Sequence, residues 1–189
     1  MRIIAGQFRG RRLATLGKGD MGAHLRPTTD RVRESLFSVL THLNVINGAR
    51  ILDLFAGTGA LGLEALSRGA DHVSFVDDGR VAAGLIRDNI ALTNSGDQTA
   101  LIRQNATGLG TCTVAPFDLV FLDPPYGKGL GITTLQAIQA GGWLTDGALA
   151  VLEESAPMPV PVGFTLEGRR KYGDTHITLM WANTRDESP

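Results

Sequence analysis

Between residues 49 and about 153, short apolar runs alternate with segments whose apolar positions recur every three or four residues. The runs at 50–54 (RILDL), 72–76 (HVSFV), 100–103, 117–122 (FDLVFL) and 148–153 read as strands. A segment ending near residue 67, and those at 81–92 and 132–140, carry the helical period. FDLVFL is apolar enough to be buried on both faces. Strands alternating with helices predict right-handed crossover units and a doubly wound, mostly parallel α/β sheet. The chain then changes character: residues 163–166 and 176–181 flank the turn Tyr172-Gly173-Asp174 with no helical pattern between them. They are expected to pair antiparallel and close one sheet edge. Upstream, a helix is expected over 28–43, with Thr28 or Thr29 as N-cap and Asp30 in a first turn that favours an anion. Val32, Leu36, Val39, Leu40 and Leu43 form its apolar stripe, and Asn47-Gly48 turns the chain into the first strand. Residues 2–5 and 12–15 are short β-like runs among glycines and arginines.

A chain of 189 residues suggests one domain with a small appendage, divided here as 1–27 and 28–189. With 43% hydrophobic and 20% charged residues it reads as an ordinary globular protein, neither disordered nor membrane-spanning. A lone cysteine, Cys112, excludes an internal disulfide framework and a multi-cysteine zinc site, and no metal is expected. The first residues lack an apolar signal core and no run approaches a membrane span, so a cytoplasmic location is expected. The net charge of −1 conceals a segregation. Residues 1–33 carry eight bases and two acids, a net +6, whereas the rest carries ten bases and seventeen acids. Such asymmetry suggests an acidic catalytic body with a basic arm for a polyanion, a solvated, charged amino terminus being the alternative.

Gly57-x-Gly59-x-x-Gly62 lies between a strand and a helix, and Asp77 stands 20 residues beyond Gly57. That spacing fits a dinucleotide site, and an NAD-dependent oxidoreductase is one reading. Asp53, four residues before Gly57, argues otherwise, because it would repel a pyrophosphate at the helix N-terminus. It suits a ligand carrying positive charge, such as S-adenosylmethionine with its ammonium and sulfonium. Asp77 at the end of the next strand can accept ribose hydroxyls, with Asp78 as the fallback. Asn105-Ala106, after the third strand, sits where an adenine edge would arrive, a simple loop asparagine being the alternative.

Asp123-Pro124-Pro125-Tyr126 closes the most apolar strand, at the carboxyl end where ligands of such sheets bind. Two prolines fix the direction of the carbonyls. The Asp123 carboxylate and the Pro124 carbonyl can each accept one N–H of a planar amino group, and Tyr126 offers a face for a stacked base. A Pro-stabilised turn without chemistry is the alternative.

The pairing of Asp53-Leu-Phe-Ala-Gly-Thr-Gly with Asp-Pro-Pro-Tyr resembles class I S-adenosylmethionine-dependent amino-methyltransferases, which act on exocyclic nitrogens of DNA or RNA bases or on a glutamine amide. The segments Arg2-Ile-Ile-Ala-Gly-Gln-Phe-Arg-Gly-Arg-Arg-Leu13 and Leu25-Arg-Pro-Thr-Thr-Asp-Arg-Val-Arg-Glu-Ser-Leu-Phe37 resemble the RsmD family, 16S ribosomal RNA (guanine(966)-N2)-methyltransferases. The likeness continues through Gly62-Leu-Glu-Ala-Leu-Ser-Arg-Gly-Ala70 and Gly142-Trp-Leu144. The resemblance implies a Rossmann-like class I fold, S-adenosyl-L-methionine as cofactor, and 16S rRNA, within the small subunit or an assembly intermediate, as partner of a monomer. It implies a cofactor site of Asp53, Phe55, Gly57, Gly59, Asp77, Asn105 and Ala106, and a target-base site of Asp123, Pro124, Pro125 and Tyr126. The family's ribose acid is often Glu, so Asp77 is a shorter variant. For RNA, Arg9, Arg11, Arg12, Arg26, Thr28, Arg31 and Arg33 are the candidates, with Lys128 and the 169–171 cluster as outer possibilities.

Arg33 has a reading of its own: with Phe37 and Leu40 it lies at i, i+4, i+7 on the edge of the apolar stripe, so it needs a partner. That partner is expected to be RNA phosphate or a cleft carboxylate, a structural ion pair being the alternative. Rival functions are methylation of a DNA base or a protein glutamine, the NAD enzyme, and a noncatalytic RNA-binding module.

Overall fold

The structure is a computed structural model that describes residues 1–15 and 29–183. Seven strands form one sheet: β1 (Arg50–Leu54), β2 (His72–Val76), β3 (Thr99–Ile102), β4 (Phe117–Leu122), β5 (Leu144–Glu154), β6 (Phe164–Tyr172) and β7 (Thr175–Ala182). Their spatial order is β3-β2-β1-β4-β5-β7-β6. β1 to β5 are parallel, and β7 runs antiparallel to both β5 and β6. The expected antiparallel pair is present, with the last strand inserted between β5 and β6. β1, β2 and β4 are buried almost throughout, as doubly covered parallel strands must be.

The helices are α1 (Asp30–His42), α2 (Ala60–Ser67), α3 (Arg80–Thr93) and α4 (Leu130–Ala140). On one face of the sheet, Leu36, Phe37 and Leu40 of α1 join Leu63 and Leu66 of α2 and Ile86 of α3 in a single apolar cluster. Leu135 and Ile138 of α4 pack with Phe117, Trp143 and Leu152 on the other. Thr29 caps α1, its hydroxyl accepting from the Val32 N–H. Thr28, the other expected cap, lies outside the described residues, as do residues 16–27.

Two strands outrun their sequence signals. β5 begins at Leu144 rather than 148, because a register shift opposite Phe117 and Leu119 carries the chain past Asp146-Gly147, with Gly147 at φ 72°. β6 extends to Tyr172 because an edge strand with solvent on its flanks needs no apolar alternation; Thr165, Leu166 and Glu167 are all exposed.

The runs at 2–5 and 12–15 form no strands of their own; a single bridge, Arg2 to Arg12, joins them. Residues 1–15 instead fold onto α2 and α3. Ile3 and Leu13 enter the α1–α3 cluster. Glu64, fully buried, accepts the N–H groups of Ile4 (2.7 Å) and Ala5 (3.1 Å) and pairs with Arg68 (2.8 Å). Asn89, equally buried, accepts from Ala14 N–H and donates to the carbonyls of Ala14 and Thr58. One side chain thus ties the amino-terminal segment to the glycine loop.

Candidate active site

The parallel register aligns Val76, Leu54, Leu122 and Leu152 in one row across β2, β1, β4 and β5. The next residue on each strand is therefore Asp77, Phe55, Asp123 and Glu153, side by side at the carboxyl edge. Neighbouring strands stand about 4.8 Å apart, so these four groups share one narrow strip. Asp53 lies two residues before Phe55 on β1.

The glycine loop leaves β1 through three left-handed residues, Phe55 (φ 57°), Gly57 (φ 57°) and Gly59 (φ 75°). A non-glycine residue in this region is uncommon, and Phe55 holds it where the chain turns away from the sheet. Asp77 fastens the loop: one carboxylate oxygen accepts from Gly57 N–H (2.9 Å) and the other from Gly79 N–H (2.8 Å). Asp53 accepts from Gly62 N–H (2.9 Å) in the first turn of α2. Burial pushes the Asp53 carboxyl up to about 8; that hydrogen bond opposes the shift and the charge of Asp77 adds to it. Gly62 faces the sheet: a Cβ there would lie 2.5 Å from the Phe75 ring and 2.6 Å from Val73. Its role is close helix–strand packing. Asn105 is exposed and uses its side-chain oxygen on Thr107, accepting from the backbone N–H (2.9 Å) and the hydroxyl (2.8 Å), while Ala106 is buried beside it.

The Asp123 carboxyl accepts no hydrogen bond among the described residues. Burial first, then the charges of Glu153, Asp53 and Glu154, hold its proton well above the usual carboxylate range. Pro124 is buried and Pro125 exposed. Tyr126 is half-buried and donates its phenol O–H to Glu153 (2.7 Å), with Thr175 at 3.4 Å. Burial and the adjoining carboxylates raise the phenol further above its ordinary value, so it keeps its proton. The ring is fixed at its far end and is no base.

Glu153 and Glu154 are not among the candidates the sequence suggests. A signal for them exists all the same: two acids close an apolar run beside the strand that carries Asp123. Glu154, 3% exposed, accepts from Gly127 N–H (3.3 Å) and Ser155 N–H (3.0 Å) through one oxygen, and its other oxygen is buried without a partner among the described residues.

Of the arginines, Arg9, Arg11, Arg12 and Arg31 are exposed. Arg11 lies over the Phe8 ring and donates to the Leu92 carbonyl. Arg26 lies outside the described residues. Arg33 corrects an expectation: its guanidinium is fully buried and bonded to the Arg2 carbonyl (2.6 Å) and to Asp30 (2.7 Å). One turn into α1, it points under the amino-terminal segment, so the ion pair replaces the contact with phosphate. Lys128 and residues 169–171 are exposed, Arg169 donating to the Met158 carbonyl.

No helix among the described residues is long and apolar enough to cross a membrane. The family described as conserved hypothetical protein 95 matches residues 1–181. Ribosomal RNA small subunit methyltransferase D of Escherichia coli (strain K12) is 37% identical over 191 residues, covering all of this chain and 93% of that protein. The protein of the same name from Haemophilus influenzae is 38% identical over 171 residues, covering 88% and 86%. The solved structure of the Escherichia coli protein yhhF superposes with a TM-score of 0.83 at 38% identity, covering 98% of this chain and 99% of that one. The sheet order with its one reversed strand is that of the class I methyltransferase fold, and the chain belongs to the conserved hypothetical protein 95 family, the RsmD family.

Proposed function

We propose that this protein transfers a methyl group from S-adenosylmethionine to the exocyclic N2 of a guanine in 16S ribosomal RNA. One observation carries the reading: Asp123 stands at the carboxyl edge with no hydrogen-bond partner among the described residues, close to Asp53, Glu153 and Glu154 and just ahead of Pro124. A half-buried carboxyl crowded by like charges is costly to keep unless it has an incoming partner. An amino group supplies N–H donors, and a cationic cofactor supplies the balancing charge. The donor set fits S-adenosylmethionine and disfavours a pyrophosphate, because every charged group along the strip is an acid. Asp53 would face the positive end of the cofactor. Asp77 would accept the ribose hydroxyls on lone pairs its two backbone donors leave over, and Asn105 and Ala106 would border the base.

When bound, the cofactor supplies an electrophilic methyl group. The chain's own residues do the rest. Asp123 and the Pro124 carbonyl each accept one N–H of the guanine amino group, which aims its weak lone pair and holds the nitrogen against rotation. The Tyr126 ring, locked by Glu153, supports the base. As the nitrogen is alkylated it becomes acidic, and Asp123, ionised opposite the cationic cofactor and a stronger base than an ordinary carboxylate, takes its proton. The base must be unpaired or flipped to reach this edge. Arg9, Arg11, Arg12 and Arg31, with Arg26 and Thr28, bind phosphates of the RNA backbone. Residues 1–27 thus serve as a basic extension of a catalytic body over 28–189.

The test is methyl transfer from labelled S-adenosylmethionine to ribosomal RNA, DNA and protein, with mapping of the modified nucleotide. Label appearing at a guanine N2 of 16S rRNA is the expected result. Label confined to DNA or to protein glutamine overturns it.

A further inference from the structure

We propose that Glu153 is the residue that selects guanine, by accepting the N1–H of the target base while Asp123 holds its amino group. This rests on the reading of the substrate as a guanine amino group. Asp123 and Glu153 follow the registered pair Leu122–Leu152 on adjacent parallel strands, so their side chains leave the same edge next to one another. Glu153 is 6% exposed, and Tyr126 donates to one of its oxygens at 2.7 Å. The Glu153 side chain is therefore oriented by the ring that supports the base, and each carboxylate oxygen can accept more than one hydrogen bond.

The edges of the bases supply the rest. Next to its amino group guanine presents a second donor, N1–H, whereas adenine and cytosine present a ring nitrogen acceptor beside theirs. Two adjacent carboxylates form an acceptor pair, matched to an amino group flanked by a donor. The same pair repels an amino group flanked by a lone pair. Flipped bases are read by hydrogen bonds along this edge, and two acceptor lone pairs forced to face each other make rejection strong. Holding the Tyr126 phenol requires an acceptor at this position but not a charged one. A buried carboxylate beside Asp123 makes the free site less favourable, a cost that base selection explains.

The test compares RNA carrying guanine or 2-aminopurine at the mapped position. Both have the amino group on C2, but 2-aminopurine has a bare N1. Single-turnover rates are measured for the wild type, Glu153→Gln and Tyr126→Phe. The wild type is expected to prefer guanine by about 10- to 100-fold. Glu153→Gln, whose amide can donate to the bare N1, is expected to lose most of that preference and to gain on 2-aminopurine. Tyr126→Phe removes the phenol but keeps the ring, and is expected to react more slowly with the preference retained.

A wild type indifferent to the two bases overturns the proposal whatever the variants do. So does a Glu153→Gln protein that keeps the wild-type ratio or is inactive on both bases. A shift of the ratio in Tyr126→Phe equal to that in Glu153→Gln also overturns it, because Glu153 would then act only through the ring. A wild type that methylates neither base refutes the guanine reading itself. One that methylates guanine but fails the ratio test refutes only the role of Glu153.

Discussion

Under the proposed mechanism, Asp123 sets stability against chemistry at a single carboxyl. It sits among like charges without a hydrogen bond among the described residues, so Asp123→Ala is expected to stabilise the ligand-free fold by about 1 kcal/mol. At this chain length that raises the melting temperature by about 2–4 °C. The same change is expected to lower the methyl-transfer rate by about 10²- to 10⁴-fold. Thermal melts and single-turnover assays together check it; unchanged transfer would end the proposed mechanism. Asp53 obeys a related logic through pH. Its folded carboxyl titrates near 8, above its ordinary value of 3.8, so the folded state holds the proton more tightly than the unfolded chain does. The stabilisation is complete below about pH 4 and is lost as pH rises towards 8. A cationic cofactor favours the ionised form, so binding at pH 7 is expected to release a proton. Calorimetry of S-adenosylmethionine binding in buffers of different ionisation enthalpy measures that release, and Asp53→Asn is expected to reduce it.

At the scale of elements, the glycine loop is held from two sides. Asp77 grips it through Gly57, and Asn89 on α3 grips Thr58 while also holding Ala14 of the amino-terminal segment. Asn89→Ala leaves these backbone groups without their partner, at a cost of about 2–3 kcal/mol. It is expected to lower the melting temperature by about 4–12 °C and to weaken binding of S-adenosylhomocysteine. A lower melting temperature with unaltered affinity would show that Asp77 alone shapes the loop. The elements whose burial repeats are legible in the sequence: β1, β2, β4 and the α1 stripe. β5 and β6 are underestimated there, because a register shift and an exposed edge remove the apolar signal. Residues 2–5 and 12–15 are overstated, since their backbone bonds go largely to one another's turns and to Glu64, Ser67 and Asn89 rather than into a ladder.

Across the whole molecule, the proposed function divides the work between a basic amino-terminal surface for the RNA backbone and an acidic strip for the chemistry. Replacing Arg9, Arg12 or Arg31 by Ala is expected to reduce the slope of log K against log salt for RNA binding by about 0.7–0.9 for each phosphate left without its cation. Arg33→Ala is expected to leave that slope unchanged and to lower the melting temperature, since it strips the Arg2 carbonyl and Asp30 of a buried donor. A reduced slope in Arg33→Ala would return it to the RNA surface. By itself the sequence determined the crossover architecture, the glycine loop with Asp53, and the Asp123–Tyr126 motif. Each of these is a contiguous pattern whose physics is local: side-chain period, turn conformation, rigid prolines. The place of β7 between β5 and β6, the inward direction of Arg33, and the single row of Asp77, Phe55, Asp123 and Glu153 come from the folded structure. Those facts depend on which strands lie side by side and in what register, and parallel neighbours are joined through crossovers that separate them by many residues. Glu153 is 30 residues from Asp123 along the chain and one strand away in space, which is why its place beside Asp123 emerges only from the fold.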